Sequence, residues 1–391
     1  MLKLLHQGHV FAPEPLGKKD ILIMGDRIGA ICEPDQIKIE GIEVQHIEAS
    51  DHIVVPGFID SHVHITGGGG EGGPATRAPE IAVEDIISSG VTTVIGCLGT
   101  DGVTRHMESL LAKAKGLEEE GITTYIFSGS YEIPPRTITG SIRSDLALID
   151  KVIGAGEIAI SDHRSSQPSF EEIARLAADC RVGGMLGGKA GVLHCHLGDG
   201  QRRLGMLFRL IKETEIPAAQ VIPTHVNRNR QLLEEAMEFV LAGGFIDLTA
   251  SGDSEPPDKQ SVSVENAVAL FLEKQISLDH ITISSDSNGS LPVFDAKGEL
   301  QGLTIATQKG LLAKFRTLVQ NKILSFQDSL KLFSTNPAHF YKFHQKGEIK
   351  AGKDADLLLL DQNLNLTDCF ALGRRMMAEG KLIAKGTFSG Q

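Results

Sequence analysis

Residues 54–64 read VVPGFIDSHVH, a short apolar run that closes on two histidines flanking one valine. Side chains two apart on a strand share a face, so the imidazoles of His62 and His64 project together from the strand's end. Seven more runs of strand length follow: TTVIGCLGT (92–100), TTYIFSGSY (123–131), EIAISDHR (157–164), GVLHCHLGD (191–199), VIPTHVNRN (221–229), FIDLTASGD (245–253) and ITISSDSNG (281–289). Most of them finish in polar, reactive residues. Candidate helices such as SFEEIARLAADC (169–180) and NRQLLEEAMEFVLAGG (229–244) separate them. Eight strand-then-helix units predict an α/β fold, a (β/α)₈ TIM barrel over residues 56–340; an open doubly wound sheet fits the same alternation. In a barrel the C-terminal strand ends carry the chemistry.

Outside this region the pattern changes. The stretches KKDILIMGDRIGAICEP (18–34) and IEVQHIEASDHIVVP (42–56) are short apolar runs broken by turn residues, and KAGKDADLLLLDQNL (350–364) and RRMMAEGKLIAKG (374–386) repeat that texture. Strands at each end need partners, so residues 1–55 and 341–391 are expected to form one discontinuous small β domain, a β-sandwich.

Composition narrows the function. Of 391 residues, 41% are hydrophobic and 23% charged, which fits a folded globular chain. Fifty acidic against 38 basic side chains give a formal charge of −12, so no global field favours nucleic acid or an anionic membrane. No apolar run approaches a membrane span, and MLKLLHQGHV lacks the apolar core of a signal peptide. Five scattered cysteines with no CxxC pair argue against a disulfide framework and for a reducing cytoplasm.

A lone HxH is weak evidence for a metal, since polar residues pair at strand ends for structural reasons. The remaining runs strengthen it. Glu157 lies on the fourth strand, His196 and His225 end the fifth and sixth, and Asp286 ends the eighth. Four imidazoles and two carboxylates converging on one mouth suffice for two divalent cations, with a bridging carboxylate and a shared water of lowered pKa.

With these residues in place, the chain resembles the amidohydrolase superfamily and, within it, the isoaspartyl (β-aspartyl) dipeptidases. The resemblance runs through VVPGFIDSHVHITGGGGEGG, GSYEIPP, ISDHRSS, HLGDG, PTHVNRN and SSDSNGS to NPAHFY and KGEIKAGKDADLLLLD. It implies one metal on His62, His64 and Asp286, a second on His196 and His225, and zinc as the first candidate for both. It implies that Asp286 takes a proton from the attacking hydroxide and delivers it to the leaving amine. Tyr131 matches the tyrosine that polarises the scissile carbonyl, although a core tyrosine with a satisfied hydroxyl is the alternative. Many relatives carry a carboxylated lysine where this chain has Glu157. No carboxylated lysine is expected here, and Glu157 is read as the bridging ligand, with a non-ligand beside a single metal as the alternative. A glutamate is shorter than that carbamate by about three bonds, so its strand must approach the metals or the geometry must differ.

Arg164 and Arg228 fall in loops at the reactive face, where guanidiniums suit carboxylates. Glu71 in the glycine-rich loop suits a substrate ammonium, Ser290 adds a hydrogen bond, and Thr100 is expected to offer a backbone contact to the same amine. The four side chains match residues that hold a small zwitterion in the resembling family. The implied reaction is hydrolysis of the isopeptide bond of β-aspartyl dipeptides. The alternatives are an N-acyl amino acid deacylase or cyclic amidase of the same superfamily, and a non-catalytic scaffold. The resemblance also implies a homo-oligomer, an octamer. The glycines of 67–73 and 187–191 lack the spacing of a phosphate loop. His163 and His194 are expected to face away from the site and either to support the ligands from behind or to serve structurally, and Cys195 to pack outside the barrel.

Overall fold

The structure is a computed structural model that describes residues 2–250, 261–294 and 300–389. The last three residues of the seventh run, Ser251 to Asp253, lie outside the described residues. All eight runs form strands: Phe58–Val63, Val91–Gly96, Thr123–Ser128, Val152–Ile160, Val192–Leu197, Val221–Thr224, Ile246–Thr249 and Ile281–Ser284. The first six form one parallel ladder and the last two pair with each other. Two contacts close the ring. The Val226 amide donates to the Asp247 carbonyl at 3.4 Å, and Val63 bridges in parallel to Ser287, with the His64 amide donating to the Ser287 carbonyl at 2.9 Å. The first strand thus touches both the second and the segment following the eighth, which excludes the open sheet.

Period-two alternation sets the two faces of each strand. On the fifth strand Leu193, Cys195 and Leu197 join the core beneath the helices, while Val192 joins the cluster inside the barrel. Cys195 therefore packs outside the barrel, as expected. The helices seat on this outer core through ordinary caps. In Phe170–Gly187, Ser169 and Glu172 form a reciprocal capping box and Gly188, at φ 64°, ends the helix.

The ends of the chain meet in one nine-stranded sheet. Its order is Lys381–Leu382, Arg374–Ala378, Leu366–Ala371, Leu357–Leu360, Ile53–Pro56, Leu2–Phe11, Pro15–Met24 and Arg27–Cys32, with Val44–Glu48 also paired to Leu2–Phe11. The sheet folds over its own core, because the Ile28 amide donates to the Lys353 carbonyl and the Ala355 amide to that of Asp26, next to the central strand. The run of four leucines shows why it is apolar throughout. Leu357 and Leu359 face the sheet's own core and Leu358 and Leu360 face the barrel's, as do Val54 and Val55 respectively.

One boundary needs correction. Tyr341 and Phe343, which fall beyond the expected barrel limit at residue 340, pack inside the barrel with Ile59, Phe127, Ile153 and Ile222. They plug its floor, and the terminal sheet resumes only at Leu357. The hairpin Ser290–Phe294 with Leu300–Ile305, after the eighth strand, was not foreseen either. Among the described residues no helix is long and apolar enough to cross a membrane.

Candidate metal centre

Six side chains proposed from sequence as ligands meet at the barrel mouth, all buried. Glu157 is the hub. Its Oε1 lies 2.6 Å from His196 Nδ1 and 3.1 Å from His225 Nε2, while Oε2 lies 3.2 Å from His62 Nε2 and 3.7 Å from His64 Nε2. Asp286 Oδ1 lies 3.1 Å from His64 Nε2 and 3.5 Å from His62 Nε2, and Oδ2 is 4.0 Å from His225 Nε2. Among the described residues two potential ligand groups share the glutamate, His62, His64, Cys97 and Glu157 on one side and Glu157, His196 and His225 on the other, and a third joins His62, His225 and Asp286.

Bulges deliver these side chains. On the fourth strand Ala155 pairs with Leu193 but Ile158 with Cys195, so Gly156 and Glu157 together oppose His194. The extra residue re-aims Glu157 and answers how a side chain shorter than a carbamate reaches both histidine pairs. The first strand does the same, since Asp60 pairs with Val94 but Val63 with Gly96 around His62. Beyond their strands, His225 at φ 60° and Asp286 at φ 54° occupy the left-handed region, which turns their side chains over the mouth. Close approach also demands glycine: a Cβ on Gly289 would stand 2.6 Å from Asp286 Oδ1, and one on Gly99 2.8 Å from His64 Cε1.

Each imidazole has a partner on the nitrogen turned away from the cluster. His62 Nδ1 is 3.4 Å from Thr224 Oγ1, His64 Nδ1 is 3.8 Å from Cys97 Sγ, and His225 Nδ1 is 2.6 Å from Thr249 Oγ1. His196 is reversed, with Nε2 at 2.9 Å from Asp162 Oδ2. An ionised carboxylate only accepts, so Nε2 carries the hydrogen and Nδ1 presents a lone pair. Nδ1 faces Glu157 Oε1 at 2.6 Å, a contact that either a second proton on the ring or a cation shared by the two atoms would satisfy. His62 Nε2, Glu157 Oε2 and Asp286 Oδ1 are buried and have no hydrogen-bond partner. Polar atoms are seldom buried unpaired, so this donor set fits divalent cations.

Electrostatics agree. Burial disfavours charge on His62, His64, Glu157 and Asp286, yet attraction within the cluster wins, with the Cys97 sulfur adding its pull on both imidazoles, and holds both carboxyls below and both imidazoles above their usual ranges. Protons thus satisfy a field built for cations. Burial pushes His225 down to about 3, against the pull of Asp286 and Glu157.

The substrate candidates rim this cluster. Glu71 accepts from the hydroxyl of Thr100 at 2.9 Å and from that of Ser290 at 2.9 Å, and Arg164 Nη1 lies 3.4 Å from it. The Thr100 hydroxyl thus orients the carboxylate expected to receive the substrate amine. Tyr131 is buried with its hydroxyl 2.9 Å from His196 Nδ1, and Arg164 lies over its ring at 5.4 Å. Arg228 Nε donates to the Leu197 carbonyl at 3.0 Å, beside the fifth strand's end.

His194 needs correction. It is two residues from His196 on one strand, so it shares the inward face; its ring stacks on Phe127 at 4.6 Å and its Nε2 is 3.4 Å from His62 Nδ1. It supports the ligands from below, whereas His163 is exposed. Two residues escaped the sequence reading. Asp162 grips Arg164 in a fork, Oδ1 to Nε at 3.1 Å and Oδ2 to Nη2 at 2.8 Å, while also holding His196. The position of Asp162 inside ISDHRSS, five residues after Glu157, was the available signal. Arg105 is buried and donates to the carbonyls of Thr66, Ala78 and Gly69, stapling the loop that carries Glu71.

Comparison with known proteins places this geometry. The model of the amidohydrolase family matches residues 53–191 and 259–386. The solved structure of the β-aspartyl dipeptidase of Fervidobacterium islandicum AW-1 in complex with the β-Asp-Leu dipeptide is 47% identical, with a TM-score of 0.93 over 98% of this chain and 97% of that one. A second structure of β-aspartyl dipeptidase from that organism is 44% identical, with a TM-score of 0.89 over 98% of each chain. More distantly, the dihydroorotase of Clostridium acetobutylicum is 24% identical over 93% of this chain and 91% of its own length. With the family match spanning more than half of its residues and close to half of them shared with a β-aspartyl dipeptidase, the chain belongs to the amidohydrolase family.

Proposed function

We propose that this chain hydrolyses the isopeptide bond of β-aspartyl dipeptides with two divalent cations, zinc first among them, held by His62, His64, Glu157, His196, His225 and Asp286. The observation that carries the reading is the rim: a buried carboxylate, Glu71, ringed by Thr100, Ser290 and Arg164 beside the ligand cluster. A dipeptide with one free ammonium and two carboxylates matches that arrangement. Similarity across nearly the whole length of a β-aspartyl dipeptidase points the same way.

Bound in the cluster, the cations would lower the pKa of a water to supply a nucleophile at neutral pH and would polarise the scissile carbonyl. The chain's own residues do the rest. Glu71 takes the substrate ammonium, and Arg164 and Arg228 take the carboxylates. Asp286 reaches over the mouth, ionised, and so can accept the water's proton and pass it to the departing amine. The Tyr131 hydroxyl points into the cluster and donates to the developing oxyanion; its burial and the Glu157 charge push its pKa up, keeping it protonated. Assembly into a homo-oligomer, an octamer by family resemblance, and residence in the cytoplasm complete the proposal.

Zinc-loaded protein should release leucine from β-Asp-Leu and not from α-Asp-Leu at neutral pH, with no need of added bicarbonate. Cleavage of neither peptide by protein holding two metals would move the substrate toward N-acyl amino acids or cyclic amides. Protein that purifies and remains without metal would favour a scaffold.

A further inference from the structure

Three of the four cluster histidines lean on groups other than a carboxylate: the hydroxyls of Thr224 and Thr249 and the sulfur of Cys97. His196 alone leans on a carboxylate, Asp162, and it alone turns Nδ1 inward. The same carboxylate holds Arg164 through both oxygens and accepts the Arg164 amide at 2.7 Å. With its side chain 3% exposed, Asp162 has little water to share these bonds. Its place is preset by the backbone. The Gln167 side chain and the Ser165 amide both donate to its carbonyl, and the loop after the fifth strand passes so close that a Cβ on Gly198 would stand 2.6 Å from Asp162 Cβ.

We infer that Asp162 is a positioning residue that serves both halves of the site, fixing the tautomer and angle of the ligand His196 while holding the substrate-facing Arg164 in its fork. This inference rests on the proposed reading of the cluster as a metal site. A carboxylate on the far nitrogen raises the electron density of the near one, so Asp162 strengthens the hold of the His196, His225 and Glu157 group on a cation. It also pre-orders Arg164, lowering the cost of ordering that side chain when substrate arrives. Arg164 Nη2 also lies 3.3 Å from His196 Nε2, but a guanidinium has no acceptor for that nitrogen's hydrogen, so the tautomer is set by Asp162 and the two effects are separable.

The test is a zinc titration of metal-free protein by calorimetry, beside steady-state kinetics on β-Asp-Leu. Asp162→Asn should weaken one zinc equivalent roughly 10- to 100-fold and also raise KM. Arg164→Gln should raise KM while leaving both zinc affinities within about threefold of wild type. Wild-type zinc affinities in Asp162→Asn would overturn the inference. Because the titration uses no substrate, it answers even if β-Asp-Leu is not cleaved, so the two readings fail separately. If Asp162→Asn does not fold, nitrogen-labelled, cadmium-loaded wild type decides by magnetic resonance. One imidazole ligated through Nδ1 and carrying its hydrogen on Nε2 is expected, and ligation through Nε2 by all four rings would overturn it.

Discussion

Two buried charge clusters lie at opposite ends of the barrel, and they are built differently. At the floor, Lys346 is 4% exposed and pairs with Asp354 at 2.8 Å and Asp356 at 2.6 Å, while Arg27 pairs with Asp354. Two positive and two negative charges cancel, and the lysine also donates to Thr123 at the foot of the third strand. At the mouth, Glu157 and Asp286 stand among four imidazoles with no lysine or arginine among the described residues paired to either carboxylate, and unpaired polar atoms remain on three of the six residues. A cluster that balances itself ties the terminal sheet to the barrel. At the floor Asp354 Oδ1 lacks a hydrogen-bond partner but sits against the Arg27 guanidinium, whereas at the mouth the three unpaired atoms face one another with no such side chain among them, so the difference is read from accounting for charge rather than from burial.

Mutations should separate the two ends. At the mouth, Asp286→Asn should cut kcat on β-Asp-Leu by roughly 10²- to 10⁴-fold with the thermal midpoint near wild type, because it removes the proton carrier but leaves a packed side chain. At the floor, Lys346→Met should do the reverse, costing about 3–5 kcal/mol in urea unfolding while kcat per folded molecule is unchanged. Loss of activity without loss of stability in Lys346→Met would break the comparison. Gly289→Ala sharpens it, since the added methyl falls on Asp286 and on His64 Cδ2 at 2.8 Å. Overpacking of about 1–3 kcal/mol should appear as weaker zinc binding in a chelator competition.

A pH-dependent effect lies between the ends. Asp247 accepts from Thr224 at 2.7 Å, Thr282 at 2.7 Å and Ser284 at 2.6 Å, and burial raises its carboxyl from 3.8 to about 6. The unfolded chain therefore releases this proton at lower pH than the folded one. Between pH 3.8 and 6 the folded state binds more protons, and this group's contribution to stability falls as pH rises, by about 3 kcal/mol at most. In metal-free protein, Asp247→Asn should gain on wild type from pH 4 to pH 7. A stability difference flat across that range would show that Asp247 ionises freely.

Much of this was legible in the chain. The eight barrel runs stood out because one face of each strand is apolar and its end is polar, and HxH with Glu157, His196, His225 and Asp286 followed from where those ends meet. The bulges at His62 and Glu157 were not legible, because an inserted residue leaves no period of its own. Nor were the partners of Asp162 and Arg105, which lie across neighbouring strands of the ladder and far apart in the chain. His194 was misread although the rule that places it, two residues from His196, was in hand. Tyr341 and Phe343 look like any apolar pair before a turn, and only the fold shows that they fill the barrel floor.

The strand Ile53–Pro56 lies between Leu2–Phe11 and Leu357–Leu360. It also leads, within six residues, to His62. During synthesis it must wait for its second neighbour until about 300 more residues have been made, roughly fifteen to sixty seconds at ordinary ribosome speed. For that interval the segment just ahead of the first ligand strand keeps one bare edge, able to pair with a stray strand from another nascent chain. The seam that joins the two ends of the chain is thus also the step at which a chaperone would be most useful.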